Sequence, residues 1–371
     1  MQIGVPKEIK VREYRVGLTP ASVREVVAHG HKVQVETGAG NGIGAADADY
    51  VTAGATIAKS AQDVFASADM IIKVKEPQAA ECAMLRPGQI LFTYLHLAPD
   101  PAQTKALMKS GATAIAYETV TSAAGGLPLL APMSEVAGRM AIQAGAHFLE
   151  TAHGGRGLLL GGVPGVERGK VLVLGGGVVG THAIQIALGM GADVWVIDRS
   201  VDALRRLNVQ FGATLNTLYS TRDAVDRHLR DADLVIGGVL IPGAAAPKLV
   251  TKAHLKTMKP GSVIVDVAVD QGGCCETTKA TTHDAPTYVV DNVIHYCVAN
   301  MPGGVPLTST YALNNATLPF TLALADKGWK QALKDDMHLR NGLNVWDGKV
   351  VCEPVARALE LPYTPLEQAL A

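Results

Sequence analysis

Along the first third of the chain, short apolar runs bounded by turn residues alternate with segments of helical period. Gln2–Val5, Lys32–Glu36, Met70–Lys75, Ile90–His96 and Ala112–Glu118 read as five strands. After the first of them, Thr19-Pro20 leads into ASVREVVAHG, which offers an N-cap, a proline at the first helical position and a closing Gly30. Strands and helices in alternation predict a parallel sheet covered by helices.

The alternation restarts at Lys170–Leu174 and continues through Asp193–Ile197, Leu234–Gly238, Val263–Val267 and Thr287–Val290, runs apolar enough to be buried on both faces. A long helical pattern, Ser134–Ala152, lies between the two series, and Asn300-Met301-Pro302-Gly303-Gly304 leads out of the second into another helix. Two crossings predict a discontinuous first domain, residues 1–130 and 305–371, with residues 131–304 inserted as a second. The final stretch, 305–371, reads as helical with few strand signals and is expected to pack back on the first. At 371 residues the chain exceeds the roughly 250–300 that one core supports, so two doubly wound α/β domains are expected.

Composition removes several function classes. With 48% hydrophobic and 18% charged residues, and 33 Lys+Arg against 34 Asp+Glu, neither disorder nor a polyanion-binding surface is indicated. Nucleic acid is not an expected partner. Lys7, Glu8 and Lys10 interrupt the start where an export signal needs its apolar core, so a cytoplasmic location is expected. Residues 293–325 carry no Asp, Glu, Lys or Arg, but Pro302, Pro306 and Pro319 make them a poor bilayer helix and a better stretch of buried chain. The five cysteines are scattered without C-x-x-C spacing, and the tightest histidine pair, His29 and His31, has no carboxylate or thiol at ligand spacing. Neither disulfides nor a metal is expected.

Chemistry enters first at KVLVLGGGVVGTHAIQIALGMGADVWVID. Gly175-x-Gly177-x-x-Gly180, with Val178 and Val179 inside it, follows a strand and opens a helix, and Asp198 ends the next strand. Each glycine has a mechanical reason to be there: a tight turn at Gly175, backbone approach to a pyrophosphate at Gly177, close helix–strand packing at Gly180. The helix start then offers free N–H groups to an anion. Asp198 is placed to accept from adenosine ribose hydroxyls and to repel a 2′-phosphate, which selects NAD over NADP although Arg199 adjoins it. The second domain is thus expected to be a Rossmann NAD-binding domain.

Ligands of open parallel sheets bind beyond the carboxyl ends of strands, so polar residues there carry weight. Arg15 lies in the loop after the first strand, Lys75 closes MIIKVK, His96 closes ILFTYLH with Tyr94 on the same strand face, and Asp270 follows SVIVDVAVD. Singly, these read as solvated charges or turn caps. Together, an Arg and a Lys suit a small carboxylate, a His can move protons near neutral pH, and an Asp can orient water. The set suits a 2-amino or 2-oxo acid.

IGVPKEIKVREYRVGLTP, KVKEP, TYLHLA, LAPMSEVAGRMA, LGGGVVG, VDVAVDQGG and NMPGG follow one another in an order that resembles the alanine dehydrogenase/transhydrogenase α-subunit family, and within it the bacterial NAD-dependent alanine dehydrogenases. The resemblance runs over essentially the whole chain. It implies that Arg15 and Lys75 hold the substrate carboxylate and carbonyl; Tyr94 and Asn300 are further candidate substrate contacts. His96 is then the acid/base and Asp270 the second catalytic residue. It also implies cofactor contacts from Ser134, Gly175, Gly177, Val178, Val179, Gly180, Asp198, Ser220, Val239, Leu240, Val267, Ala268, Val269, Asp270, Val298, Ala299, Asn300 and Met301. Where relatives often carry a basic group beside the adenosine this chain has Ala203, so that role passes to Arg199 or Arg205 or is lost. A homohexamer is implied as well.

On this reading L-alanine loses hydride from Cα to nicotinamide, and water attacks the resulting iminium to release pyruvate and ammonium. His96 moves the protons, Lys75 and Arg15 bind and polarise, and Asp270 orients the water. Catalysis would require closure about hinges near Pro132 and Pro302-Gly303-Gly304. The apolar loop Leu127–Met133 is expected to place Leu130 and Met133 against the substrate methyl group. Two other classes remain open: a transhydrogenase-type NAD-binding subunit without amino-acid chemistry, and an NAD-sensing regulator that binds without turnover.

Overall fold

The computed structural model describes residues 1–239 and 246–371. Among them are fifteen strands: β1 (Gln2–Val5), β2 (Lys32–Glu36), β3 (Thr56–Ala58), β4 (Met70–Ile72), β5 (Ile90–Thr93), β6 (Thr113–Ala116), β7 (Lys170–Leu174), β8 (Asp193–Asp198), β9 (Leu215–Tyr219), β10 (Leu234–Gly237), β11 (Val263–Asp266), β12 (Thr287–Val290), β13 (Val293–Tyr296), β14 (Leu343–Trp346) and β15 (Lys349–Val350). The chain divides into two compact units, Met1–Met133 with Val305–Ala371, and Ser134–Gly304.

The first unit is built on an eight-stranded sheet ordered β15-β14-β6-β5-β4-β1-β2-β3. From β1 the chain winds outward through β2 and β3, then returns to lay β4, β5 and β6 on the other side, all parallel. Strand order therefore reverses between β1 and β4, the place where such sheets open a crevice at their carboxyl ends. One edge is antiparallel: β14 pairs with β6 and with β15. This corrects the helical reading of residues 305–371. The hairpin turns at Asp347-Gly348, both with positive φ (48° and 75°), a pair suited to a two-residue turn. The same C-terminal stretch also supplies the long helix Pro306–Lys327, whose Asn314 accepts the Thr19 N–H at 2.8 Å and donates to the Gly17 carbonyl at 3.1 Å.

The second unit carries a seven-stranded sheet ordered β12-β13-β11-β10-β7-β8-β9, parallel except for β12. Val171 and Val173 of β7 enter one apolar cluster, Leu172 and Leu174 the cluster on the opposite face. Both faces are covered, as the unbroken apolar strands predict. The switch point lies between β7 and β10. Strands β3, β9, β13, β14 and β15 lie outside the predicted set: β3 and β15 span three and two residues, β9 carries Asn and Thr on a half-exposed edge, and β13 lies in chain that reads only as buried.

Several boundaries move. β4 ends at Ile72 and β5 at Thr93, so Lys75, Tyr94 and His96 lie in the loops that follow rather than inside the strands. The linking helix spans Ala131–Phe148 instead of starting at Ser134, which puts Pro132 and Met133 in its first turn, not in a loop. No helix among the described residues is long and apolar enough to cross a membrane.

Candidate functional site

In the first unit, the loops after β1, β4 and β5 carry the predicted polar residues to one end of the sheet. Arg15 is 2% exposed and is gripped by Glu13, Nε to Oε1 and Nη2 to Oε2 both at 2.6 Å; its Nη1 lies 3.0 Å from Met133 Sδ. It is not the solvated charge that composition alone allows. Burial works against its charge, but the Glu13 carboxylate more than offsets it, and the guanidinium pKa is raised. Tyr94 is buried and donates from its hydroxyl to the Leu129 carbonyl at 2.5 Å; burial pushes its phenol pKa well up.

Lys75 is half-buried, and burial is the main influence that lowers its pKa, with Glu76 opposing. Beneath it lies a group invisible to local sequence reasoning. Lys73, fully buried, pairs with Glu8 at 3.0 Å and Glu81 at 2.7 Å, and the two carboxylates hold it charged against its burial. Glu8 also accepts the Val74 N–H at 2.7 Å and the Lys75 N–H at 3.4 Å. One carboxylate from the β1 loop thus sets the backbone that presents Lys75 from the β4 loop.

His96 is exposed, stacks on Tyr94 with centroids 5.7 Å apart and planes 5° apart, and has φ of +49°. Left-handed backbone on a non-glycine residue costs on the order of 1–3 kcal/mol and persists only where surroundings impose it. Glu118 imposes it, accepting the backbone N–H groups of Leu95 at 3.1 Å and His96 at 2.6 Å. Leu130 is half-buried and Met133 buried, within the same unit.

In the second unit, the glycine turn after β7 meets its mechanical requirements. Gly175 has φ of +99°, and a Cβ on Gly180 would stand 1.8 Å from the Gly175 carbonyl oxygen. A Cβ on Gly177 would meet nothing within 4 Å, and no side chain caps the helix Val178–Gly189 that Gly177 starts. Free N–H groups, open space at Gly177 and a helix dipole pointing there fit a pyrophosphate. Val179 is half-buried, and Val239, after β10, adjoins Gly175 across the switch point. Asp198 accepts from Gly176 N–H at 2.6 Å and Ser200 N–H at 2.7 Å, which fixes the carboxylate beside the turn and leaves lone pairs for ribose hydroxyls. Ser220 donates its N–H to the Asp198 carbonyl at 2.9 Å. Arg205 pairs with Asp202 on the exposed helix face, whereas Arg206 reaches the Gly176 carbonyl at 2.9 Å.

Buried Asp266, at the end of β11, caps the short 3-10 helix Val267–Gln271 by accepting the Ala268 N–H at 3.2 Å; that helix also carries Val269, and it leaves Asp270 exposed. Ala299 and Asn300 follow β13, Asn300 with φ of +61°. Val298 and Met301 pack their side chains in the core, so contacts from them to a ligand would come from backbone. Ser134 is half-buried at the start of this unit. Leu240 lies outside the described residues.

Each unit thus assembles its own set: basic, imidazole and phenol groups in the loops after β1, β4 and β5, and a glycine-rich turn with an acidic partner after β7 and β8. Glu8, Glu13, Lys73, Glu81 and Glu118 are the supporting residues that the sequence did not single out. The fold and these residues define a two-unit α/β protein whose second unit has a nucleotide-binding type of fold. The chain belongs to the alanine dehydrogenase/PNT family, matching its N-terminal domain over residues 4–137 and its C-terminal domain over residues 141–353. An alanine dehydrogenase of Halomonas elongata is 60% identical over 363 residues, 98% of either chain. A solved L-alanine dehydrogenase superposes with a TM-score of 0.94 at 53% identity, covering 97% of this chain and 99% of that one. The transhydrogenase of Sinorhizobium meliloti superposes at 0.82 with 27% identity, covering 95% and 99%.

Proposed function

We propose that the protein catalyses the reversible oxidative deamination of L-alanine to pyruvate and ammonium with NAD as its cofactor. What supports this reading is that Arg15, Lys75 and His96 lie in the loops after β1, β4 and β5, at one end of the first unit's sheet, in a chain 60% identical over 363 residues to an alanine dehydrogenase. Bound NAD supplies the hydride acceptor. Ser134, Gly175–Gly180, Asp198, Ser220, Val239, Val267–Asp270 and Val298–Met301 would hold it, with Leu240 among them.

The remaining chemistry belongs to the chain's own groups. Arg15, its position fixed by Glu13, and Lys75, presented by Glu8, bind the substrate carboxylate and polarise its carbonyl oxygen. Leu130 and Met133 border the methyl group, and Tyr94 lines the same substrate. His96 takes and returns the protons of iminium hydrolysis, and Asp270 orients the attacking water. The protein acts in the cytoplasm on this reading, as a homohexamer, which light scattering would measure.

NADH formation on mixing the protein with NAD and L-alanine at alkaline pH tests the proposal. Tight NAD binding without alanine-dependent NADH would refute it and favour a transhydrogenase-type subunit or an NAD sensor.

A further inference from the structure

The carboxyl end of the helix Ala131–Phe148 gathers three ligating side chains that the proposed reaction does not use. His147 sits in the last turn, Glu150 just beyond it, and His153 in the 3-10 turn Thr151–His153. One donor atom from each lies within 4.8 Å of the others. His147 Nδ1 stands 3.8 Å from Glu150 Oε1, and His153 Nε2 stands 3.9 Å from Glu150 Oε2.

The backbone enforces this convergence. Glu150 donates its N–H to the His147 carbonyl at 3.2 Å, and its own carbonyl accepts from His153 at 3.0 Å and Gly155 at 3.1 Å. Gly154 takes a φ of +83°, and a Cβ on Gly155 would meet the Phe148 carbonyl oxygen at 2.3 Å, so the turn tolerates little change. The two imidazoles are packed together, centroids 3.9 Å apart, with Phe148 roughly perpendicular to both at 5.2 and 5.6 Å.

We propose that His147, Glu150 and His153 form a binding site for a late first-row divalent cation, zinc(II) above all. Two imidazole nitrogens and a carboxylate are a donor set zinc favours, and three protein ligands leave its fourth position to water. Tetrahedral zinc at about 2.0–2.2 Å holds its ligand atoms about 3.4 Å apart. The two His–Glu separations, 3.8 and 3.9 Å, exceed this by about half an ångström or less, no separation in the trio exceeds 4.8 Å, and all three side chains are exposed enough to close the gap. The negative end of the helix dipole adds to the attraction for a cation.

A second cluster, Asp266, Cys274 and Cys275, has similar spacing but is already used. Asp266 Oδ2 accepts the N–H groups of Cys274 at 2.8 Å and Cys275 at 3.3 Å and the Thr278 hydroxyl, and the hydrogen bond with Cys275, together with burial, keeps the Cys274 thiol protonated. His29 and His31, the pair that sequence spacing singles out, both bond Asp326, at 3.0 and 2.7 Å.

Chelator-stripped full-length protein should take up one zinc(II) per chain in a calorimetric titration. Cobalt(II) should occupy the same site with ligand-field absorption and no thiolate charge-transfer band. Loss of even a hydrogen-bond partner of a ligand costs about 10–100-fold in metal affinity, so His147→Ala and His153→Ala should each weaken binding at least about a hundredfold. Cys352→Ser should leave it unchanged. Zinc should raise the melting temperature of the wild type but not of the His147→Ala/His153→Ala double variant. No uptake by the wild type, or undiminished uptake by the double variant, overturns the site.

Discussion

Glu118 holds His96 from behind: its Oε1 accepts the His96 backbone N–H at 2.6 Å and lies 3.8 Å from His96 Nδ1. A residue that carries only side-chain chemistry has no need of a left-handed backbone. His96 has one, at φ +49°, and the carboxylate that imposes it is also placed to orient the ring. The ring itself lies flat against Tyr94, centroids 5.7 Å apart.

That arrangement dictates how His96 should be tested. Alanine at a position with φ of +49° adds backbone strain to the loss of the ring, whereas asparagine tolerates this region. His96→Asn should therefore melt close to the wild type while turnover falls on the order of a hundredfold or more, the worth of a positioned acid/base. Steady-state kinetics and thermal unfolding on the same preparation decide it. A folded His96→Asn protein with near-normal turnover would remove His96 from the chemistry.

Lys75 predicts a pH dependence. Burial disfavours its ammonium, so the proton leaves at a lower pH than from an ordinary lysine, near 10.4. Pyruvate is anionic throughout this range and its binding draws on the charge. Its affinity for the NADH complex should therefore weaken with rising pH along a limb below the ordinary lysine range, and Lys75→Arg should carry that limb upward because guanidinium stays charged. Binding measured without ammonium keeps the titration of ammonia out of the result. An affinity that is flat with pH, or a limb unmoved in Lys75→Arg, contradicts the assignment.

Cofactor choice rests on Asp198, and the structure selects the variant that tests it. The carboxylate accepts from Gly176 and Ser200, so Asp198→Ala would loosen the glycine turn along with any selectivity. Asp198→Asn keeps an acceptor and removes the charge that repels a 2′-phosphate. NAD should be preferred by a wide margin in the wild type, and the ratio of kcat/KM for NAD over NADP should fall in Asp198→Asn, mainly through NADP. Equal use of both cofactors by the wild type would defeat the reading.

What is legible in the sequence is chemistry carried by local spacing. The glycine turn is a contiguous mechanical device, so Gly175, Gly177 and Gly180 and the strand-ending Asp198 announce themselves. Lys75 and His96 stand out because apolar runs end at them, even though β4 and β5 stop three residues sooner than the runs do, and Arg15 stands out in the loop after β1. Their supports are not legible, because Glu8 meets Lys73 across 65 positions and Glu118 meets His96 across 22, and no local pattern encodes such a pairing. The β14–β15 hairpin escapes for another reason: its strands of four and two residues sit at the end of a stretch dominated by helical pattern.

Substrate size supplies the last prediction. Met133 is buried in the first turn of the helix Ala131–Phe148, with its sulfur 3.0 Å from Arg15 Nη1, the group proposed to hold the substrate carboxylate. Tyr94 is tied to Leu129 at 2.5 Å, which fixes the chain just before that helix. With the carboxylate on Arg15 as proposed, Met133 sets an apolar wall beside it, and that wall is expected to admit a methyl group beside Cα rather than a longer chain. Apolar pockets discriminate by about 1–3 kcal/mol per methylene and reject an added hydroxyl poorly, so L-serine and 2-aminobutyrate should be slow but detectable substrates while leucine and glutamate fail. Met133→Ala removes the thioether from that wall. It should raise kcat/KM for 2-aminobutyrate relative to alanine by roughly tenfold or more, the worth of one methylene no longer excluded. Because Met133 is also core, a melting curve must show the variant folded before its kinetics count. An unchanged ratio in a folded Met133→Ala protein would place the methyl pocket elsewhere, and wild-type oxidation of leucine as fast as alanine would undo the substrate assignment itself.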